Sequence, residues 1–452
     1  MKKDIVPNEA TLPIIQVYEL KTMNAQDRTR IVRRARVDIS EVKKQVLPII
    51  EDVRARGDQA ILDYLEKFDG VTLTKKDLRV SETEIEEAYA KTDPIVIDMI
   101  RRQIELSQKF HREQFKRMDK QWEIEVIPGV KLGQKRTPIE SAGLYVPGGT
   151  APYPTVMQIL AVPAKIAGVQ RIVGVTPPRG KNYEVIIAAK EAEIDEIYRV
   201  GGVAAVAALT YGTETIKPVD KIVGPGNTYV TASKLLVFGE VGIDMPAGPS
   251  EAIIIADPEA NPAYCAADIL ARAEHDPNAA GVLVTWSKEV AEKTLSEIVR
   301  QLPTLSRGDI IKQSLARYSA IIVTRDKAEA ISFTNDYAPE HLEVLTKNPY
   351  DLLPKLTNAG SIFLGYYTPV PVGDYASGTN HVLPTGGWAK MFSPVGVETF
   401  MKVSEFQSVT RKSLENLAPI IDVMSEVEGL DAHWNTIEQR LQRGSRLWKK
   451  QS

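Results

Sequence analysis

The chain of 452 residues carries 56 Lys and Arg against 59 Asp and Glu, a net charge of −3, with 43% hydrophobic and 25% charged residues. That is apolar material for more than one buried core, and the near balance of charge leaves no basic footprint for nucleic acid or anionic lipid. A single cysteine, Cys265, excludes an intrachain disulfide and any cysteine-cluster metal site, so imidazole chemistry must come from His111, His275, His341, His381 and His433.

The opening MKKDIVPNEATL places Asp4, Pro7, Asn8 and Glu9 where a secretory leader needs an apolar core, and no later run reaches the ~18 apolar residues of a membrane span. A cytoplasmic protein is expected, with neither membrane nor nucleic acid among its partners. Residues 26–119 read as successive helices, with apolar positions at 3.6 spacing over 38–57 and a long charged run over 94–117. His111 lies in that run between Lys109 and Arg112 and is expected on a solvated helix face.

From about 140 the pattern changes. Short β-rich runs at 141–146, 171–176, 196–200 and 220–224 alternate with amphipathic helices at 155–168, 183–192, 203–209 and 227–239. A second series follows, with strands at 252–257, 281–286, 320–325 and 360–365 and helices at 263–274 and 288–302. Such alternation with short connections requires parallel strands and right-handed crossovers, hence an α/β fold of two sheets with ligands beyond the carboxyl ends of the strands. The Gly- and Pro-rich stretch 369–390 reads as a functional loop. Everything beyond it reads as helical, with amphipathic helices at 411–427 and 431–443.

Three glycine loops, VPGGTAPYP (146–154), VGGVAA (200–205) and VGPGNTYV (223–230), follow strands and open helices on the first sheet. None has the dinucleotide GxGxxG spacing, but three such loops on one sheet edge favour a nucleotide. Four of the five histidines stand beside carboxylates: Glu340-His341 in YAPEHLEV, Glu274, His275 and Asp276 in AEHDPNA, Asp374 and His381 in GDYASGTNHVLPTGG, and Glu428 and His433 in EGLDAH. Imidazole with carboxylate suits either acid/base or metal chemistry.

The series AGLYVPGGTAPYP, PAKIAGV, GPGNTYVTASKLLVFGEVGIDMPAGPSE, AEHDP, YAPEHLE, GDYASGTNHVLPTGG and EGLDAH resembles, in order, the motifs of the histidinol dehydrogenase family, over roughly residues 25–445. The resemblance implies two incomplete Rossmann-like domains and a homodimer with exchanged terminal segments. It also implies NAD-dependent oxidation of a small-molecule alcohol, L-histidinol, through the aldehyde to L-histidine. The boundaries expected are an N-terminal segment 1–37, a first α/β domain over 38–140 and 251–392, a cofactor-side α/β domain over 141–250, and a small C-terminal helical segment over 393–452. By the same resemblance His341 is the base and Glu340 activates water. Tyr145 and Asn227 meet the cofactor; Ser250, His381 and Glu428 meet the substrate; His275, Asp374 and His433 bind Zn2+.

Four positions, in three segments, depart from the family. Arg272 stands where the family has a zinc-ligating Gln; a guanidinium has no lone pair to give, so zinc is either held by three protein ligands and water or absent. Val156 and Leu160 replace a hydroxyl residue and an Asn near the substrate, and Ala204 replaces a Gln near the cofactor. Two alternatives accompany the reading: the same chemistry on an alcohol whose anionic group is held by Arg272, possibly without zinc, and a nucleotide-binding paralogue without turnover.

Overall fold

The computed structural model describes residues 14–34, 39–148, 152–178, 180–442 and 446. They fall into two units, one spanning 1–116 and 139–400, the other 117–138 and 401–452. In chain order the first unit begins with β1 (Gln16–Glu19), α1 (Ala25–Arg33), α2 (Ile39–Arg56), α3 (Asp58–Tyr64), α4 (Glu82–Lys91) and α5 (Pro94–Lys116). The chain then supplies β2 (Gln121–Ile127) and β3 (Val130–Pro138) to the second unit.

Returning to the first unit, it runs β4 (Ser141–Tyr145), α6 (Pro154–Ala167), β5 (Arg171–Thr176), α7 (Tyr183–Glu191), β6 (Glu196–Arg199), α8 (Gly202–Tyr211), β7 (Lys221–Val223), α9 (Thr228–Val237) and β8 (Gly242–Ile243). These strands form a wholly parallel sheet in the order β6-β5-β4-β7-β8. Helices α2, α4 and α5 pack on the helices of this layer, α2 against α8 and α9, α4 against α7, and α5 against α6.

The second series supplies β9 (Glu251–Ala256), α10 (Pro262–Ala273), β10 (Ala280–Thr285), α11 (Lys288–Gln301), α12 (Gly308–Arg317), β11 (Ala320–Val323), α13 (Lys327–Tyr337), β12 (His341–Leu345), β13 (Ser361–Leu364) and α14 (Val370–Tyr375). Its sheet, also parallel, has the order β1-β11-β10-β9-β12-β13. Strands β9 and β12 are buried at every position, as a parallel sheet covered on both faces requires. The register pairs Glu251 with Ala280, Ala252 with His341, and His341 with Ser361, which sets the first residues of four strands within one residue of a common level.

In the second unit β14 (Met401–Val409), β3 and β2 form an antiparallel sheet, and α15 (Arg411–Glu428) packs on α16 (Asp431–Leu441). This sheet departs from the expectation of helix beyond 392. The seven residues of β2 are all exposed, so no buried stripe marks it in the sequence. His111 also departs from expectation. Ile97, Ile100, Ile104, Ser107 and His111 are the buried face of α5, at spacings of three and four, and the His111 ring bonds the Ser107 carbonyl at 2.9 Å. Burial pushes its imidazole below the ordinary value, so it is a neutral core residue. Among the described residues no helix is long and apolar enough to cross a membrane.

Candidate active site

The tight turn Tyr337-Ala338-Pro339 brings the chain from α13 into β12. Ala338 caps the helix at φ +52°, a left-handed conformation that an alanine adopts only when held there. Arg34 holds it. Its guanidinium donates to the carbonyls of Tyr337 (3.0 Å) and Ala338 (3.2 Å), lies 3.7 Å from the Tyr337 ring centroid, and forms a bidentate ion pair with Glu251. Glu251 in turn accepts the main-chain N–H groups of Glu340 and Gly386, each at 3.2 Å. Both members of this ion pair are buried.

Glu340 and His341 follow that turn and are themselves buried. Glu340 Oε2 accepts from Ser250 Oγ at 2.7 Å and from the Glu251 N–H at 2.8 Å. Desolvation alone would raise its pKa, but His341, Arg272 and the Ser250 hydroxyl outweigh it and hold the group as a carboxylate. His341 Nδ1 lies 3.2 Å from the Glu251 carbonyl oxygen and 3.4 Å from Glu340 Oε2. A carbonyl only accepts, so Nδ1 carries the hydrogen and the free lone pair of the neutral ring sits on Nε2. Nε2 has no hydrogen-bond partner and lies 3.8 Å from Asp374 Oδ1. Burial opposes charge on this ring, but Glu340 and Asp374 prevail, so its pKa stands above the ordinary imidazole value.

Arg272, in the last turn of α10 and 5% exposed, donates from Nη1 to Ser250 Oγ at 2.6 Å, which makes a chain Arg272–Ser250–Glu340. It lines a small cavity with Asp268, His275, Glu343, Asp374 and Tyr375. Desolvation pushes Asp268 up to about 6, and Glu343 is raised in the same way and by Asp268, with which it shares a hydrogen bond. This carboxyl pair keeps a proton between its members. His275 stands exposed at the rim, its imidazole lowered to about 4 by the groups packed on it and by Arg272. His381 is also lowered by desolvation, and its Nδ1 has no partner.

These groups lie at the amino edge of the second sheet, before β9, after α10 and at the start of β12, and not at the carboxyl edge expected of an open α/β sheet. The carboxyl edge of the first sheet carries a cavity of about 680 Å³, lined by Tyr145, Gly148, Pro177, Gly201, Gly202, Ala204 and Asn227. All three glycine loops reach it; residues 149–151 of the first lie outside the described residues. The Tyr145 hydroxyl accepts the Gly202 N–H at 3.1 Å and is pushed up to about 12 by burial, so it stays protonated. Asn227 caps α9 through the N–H groups of Tyr229 and Val230. Gly224 lets the loop pass close to β4, since a Cβ there would stand 2.2 Å from the Tyr145 carbonyl oxygen at φ +135°. The opposite wall brings Tyr64 and Phe68, stacked at 5.6 Å.

Sequence reasoning therefore names Ser250, Arg272, His275, Glu340, His341, Asp374 and His381 in one neighbourhood, and Tyr145 and Asn227 in another. Glu428 and His433 are exposed residues of the second unit. Val156 and Leu160 are buried in α6, and Ala204 lines the larger cavity. Arg34, Glu251, Asp268, Glu343, Tyr64 and Phe68 were missed. Only Glu343 had a signal, as a carboxylate two residues after His341 in an otherwise apolar strand.

A zinc ion does not fit the residues as they stand. Within one chain the described residues bring no three His, Cys, Asp or Glu side chains together, but it is the chemistry beside His275 and Asp374 that argues against the metal. The neighbourhood of His275 and Asp374 already holds a buried guanidinium whose charge acts on both, and which can neither ligate nor be neutralised.

The profile of the histidinol dehydrogenase family matches residues 32–441. Histidinol dehydrogenase of Methanothermobacter thermautotrophicus is 49% identical over 91% of this chain and 96% of its own. That of Heliobacterium mobile is 47% identical over 94% of this chain and 100% of its own. The crystal structure of histidinol dehydrogenase from Elizabethkingia anophelis superposes with a TM-score of 0.89 at 38% identity, covering 95% of this chain and 99% of that one.

Proposed function

The chain belongs to the histidinol dehydrogenase family, and on that premise we propose that it oxidises L-histidinol through an enclosed aldehyde to L-histidine, an oxidoreductase acting on a CH–OH donor. The observation that carries the mechanism is the free Nε2 of His341 beside a carboxylate held in place by three neighbours. In the first oxidation His341 Nε2 takes the hydroxyl proton of the substrate as the carbinol hydrogen leaves with its electron pair. In the second, Glu340 takes a proton from the water that adds to the aldehyde carbon while His341 returns its proton to the aldehyde oxygen, which gives the diol; His341 then takes one diol hydroxyl proton as the second hydride leaves, and the acid so formed ionises to the carboxylate. NAD would be held by Tyr145, Gly202 and Asn227, which line one cavity, and would supply the hydride acceptor, two per substrate.

Ser250 orients Glu340 and keeps one lone pair for the substrate, while His381 lines the same neighbourhood. We assign Glu428 and His433 to the site of a second copy in a homodimer, the intermediate aldehyde being kept from solvent there, and place the protein in the cytoplasm with a histidine-forming role. The test is NAD reduction on L-histidinol. Two NADH and one histidine per substrate consumed are expected, whereas one NADH with free aldehyde in solution would sink the two-step reading.

A further inference from the structure

We propose that the Arg272 guanidinium is the resident cation of this active site, donating to the reacting oxygen of the substrate so that the oxidation proceeds without a bound metal. The proposal rests on the preceding reading of Ser250, Glu340 and His341 as the reacting centre. Arg272 is fixed where a cation would have to act. It is buried, and Nη1 is committed to Ser250 Oγ at 2.6 Å, the same hydroxyl that donates to Glu340.

Its Nε–H is buried with no hydrogen-bond partner. A buried guanidinium with an unmet donor is a site prepared for an acceptor, because such a group is stable only when another atom satisfies it. Four carboxyl groups, Asp268, Glu340, Glu343 and Asp374, feel the Arg272 charge, and with one proton kept between Asp268 and Glu343 three of them are ionised. They supply the negative surroundings that a divalent cation would otherwise neutralise, and Arg272 answers them with a charge that needs no ligands.

The same surroundings decide the chemistry of the acceptor. A sulfonate, phosphate or carboxylate brought to Nε would add a further negative charge among those carboxyl groups. A neutral hydroxyl or carbonyl oxygen meets the unpaired donor without that repulsion. As the hydroxyl proton passes to His341 and the hydride leaves with the C–H electron pair, the oxygen gains negative charge and then becomes the carbonyl oxygen. The Nε–H bond strengthens over that change and nothing is consumed, the stabilisation that a preorganised donor gives to developing charge.

The test compares the wild type, Arg272→Gln and Arg272→Lys, all produced in zinc-supplemented medium, dialysed, and checked for folding by circular dichroism. Zinc per chain is measured by mass spectrometry, and affinity for added zinc by competition with a chromophoric chelator, both without substrate. The wild type is expected to hold less than about 0.1 zinc per chain and to keep its rate within about twofold in chelator. Arg272→Gln should lose about 100-fold in rate when metal-free and take up about one zinc per chain, since it removes the repulsion and adds a donor. Arg272→Lys keeps the charge and should take up no zinc while losing about tenfold through its different donor geometry. A wild type with about one zinc per chain whose rate falls in chelator would overturn the proposal, as would a metal-free Arg272→Gln at full rate or zinc uptake by Arg272→Lys. If the wild type excludes zinc and Arg272→Gln admits it while no histidinol is oxidised, the substrate reading fails and the cation assignment stands.

Discussion

Replacing Arg34 by Met tests whether the turn that leads into Glu340 and His341 is built on the buried ion pair beneath it. The substitution keeps the stem and removes a guanidinium that makes a bidentate pair with Glu251 and donates to the carbonyls of Val32 (2.7 Å), Tyr337 (3.0 Å) and Ala338 (3.2 Å). Glu251 is then a buried carboxylate left with two main-chain N–H groups at 3.2 Å, and losing one partner of such a pair costs about 3–5 kcal/mol. At about 2.1 cal/mol/K per residue, a chain of 452 residues has an unfolding entropy of roughly 1 kcal/mol/K, so the melting midpoint should fall by about 3–5 °C. Burial already raises the Glu251 pKa against the pull of Arg34, and without Arg34 it rises further. A carboxyl whose folded pKa lies above its unfolded value favours the folded state at low pH and loses that contribution as pH rises. The deficit of Arg34→Met should therefore be larger at pH 8 than at pH 5. Scanning calorimetry at both pH values, with the double variant Arg34→Met/Glu251→Gln alongside, is the assay. The double variant should recover most of the loss because no charge is left buried. A single variant that melts within 1 °C of wild type, or a double variant no better than the single, would refute the argument.

The alcohol step should follow deprotonation of His341, so its rate falls as pH drops through a value above the ordinary imidazole pKa; in Glu340→Gln that limb moves to lower pH, because the charge that sustains the imidazolium is gone, and a pH–rate profile of both proteins checks it. Glu340→Gln should keep the conversion of alcohol to aldehyde and lose about 10²–10⁴-fold on aldehyde to acid, read by supplying each substrate separately; equal losses in both would end the proposed division of labour. Tyr145→Phe removes the acceptor of the Gly202 N–H and should weaken NAD binding about 2–10-fold by fluorescence titration, with the aldehyde chemistry at saturating NAD unchanged.

Both parallel sheets were legible because their strands are short, apolar and separated by amphipathic helices, a pattern that leaves one way to cover the sheet faces. The antiparallel sheet was not. Strand β2 has no buried residue, and β14 pairs with β3 across more than 260 positions of sequence, so neither periodicity nor proximity announces it. Glu340-His341 stood out by adjacency, whereas Arg34 and Glu251, 217 positions apart, carry no local sign of being partners. His111 was misread because its neighbours in sequence are charged, while its neighbours in space are those at three and four positions along α5. The side chains beside the second sheet depart from expectation for a similar reason: the carboxyl-edge rule describes the glycine loops of the first sheet, but nothing in a strand pattern says that Glu340, His341 and their neighbours gather at the amino edge of the second.

The adjacency of Glu340 and His341 is served by a place at the end of a strand. Adjacent residues inside a strand point to opposite faces, so a Glu-His pair in mid-strand would be split by the sheet. Here Glu340 lies in a bend and only His341 has entered β12, which lets Oε2 approach Nδ1 to 3.4 Å while both remain buried. That bend stands at the strand's beginning, after the turn from the preceding helix, which holds Ala338 at φ +52°. A residue in that conformation persists where its surroundings over-determine it. Arg34 supplies that restraint by gripping the carbonyls of Tyr337 and Ala338, and by pairing with Glu251 it fixes the carbonyl that orients His341 and the N–H that orients Glu340. One guanidinium thus sets the tautomer of His341, the direction of the Glu340 carboxylate and the turn that brings them together.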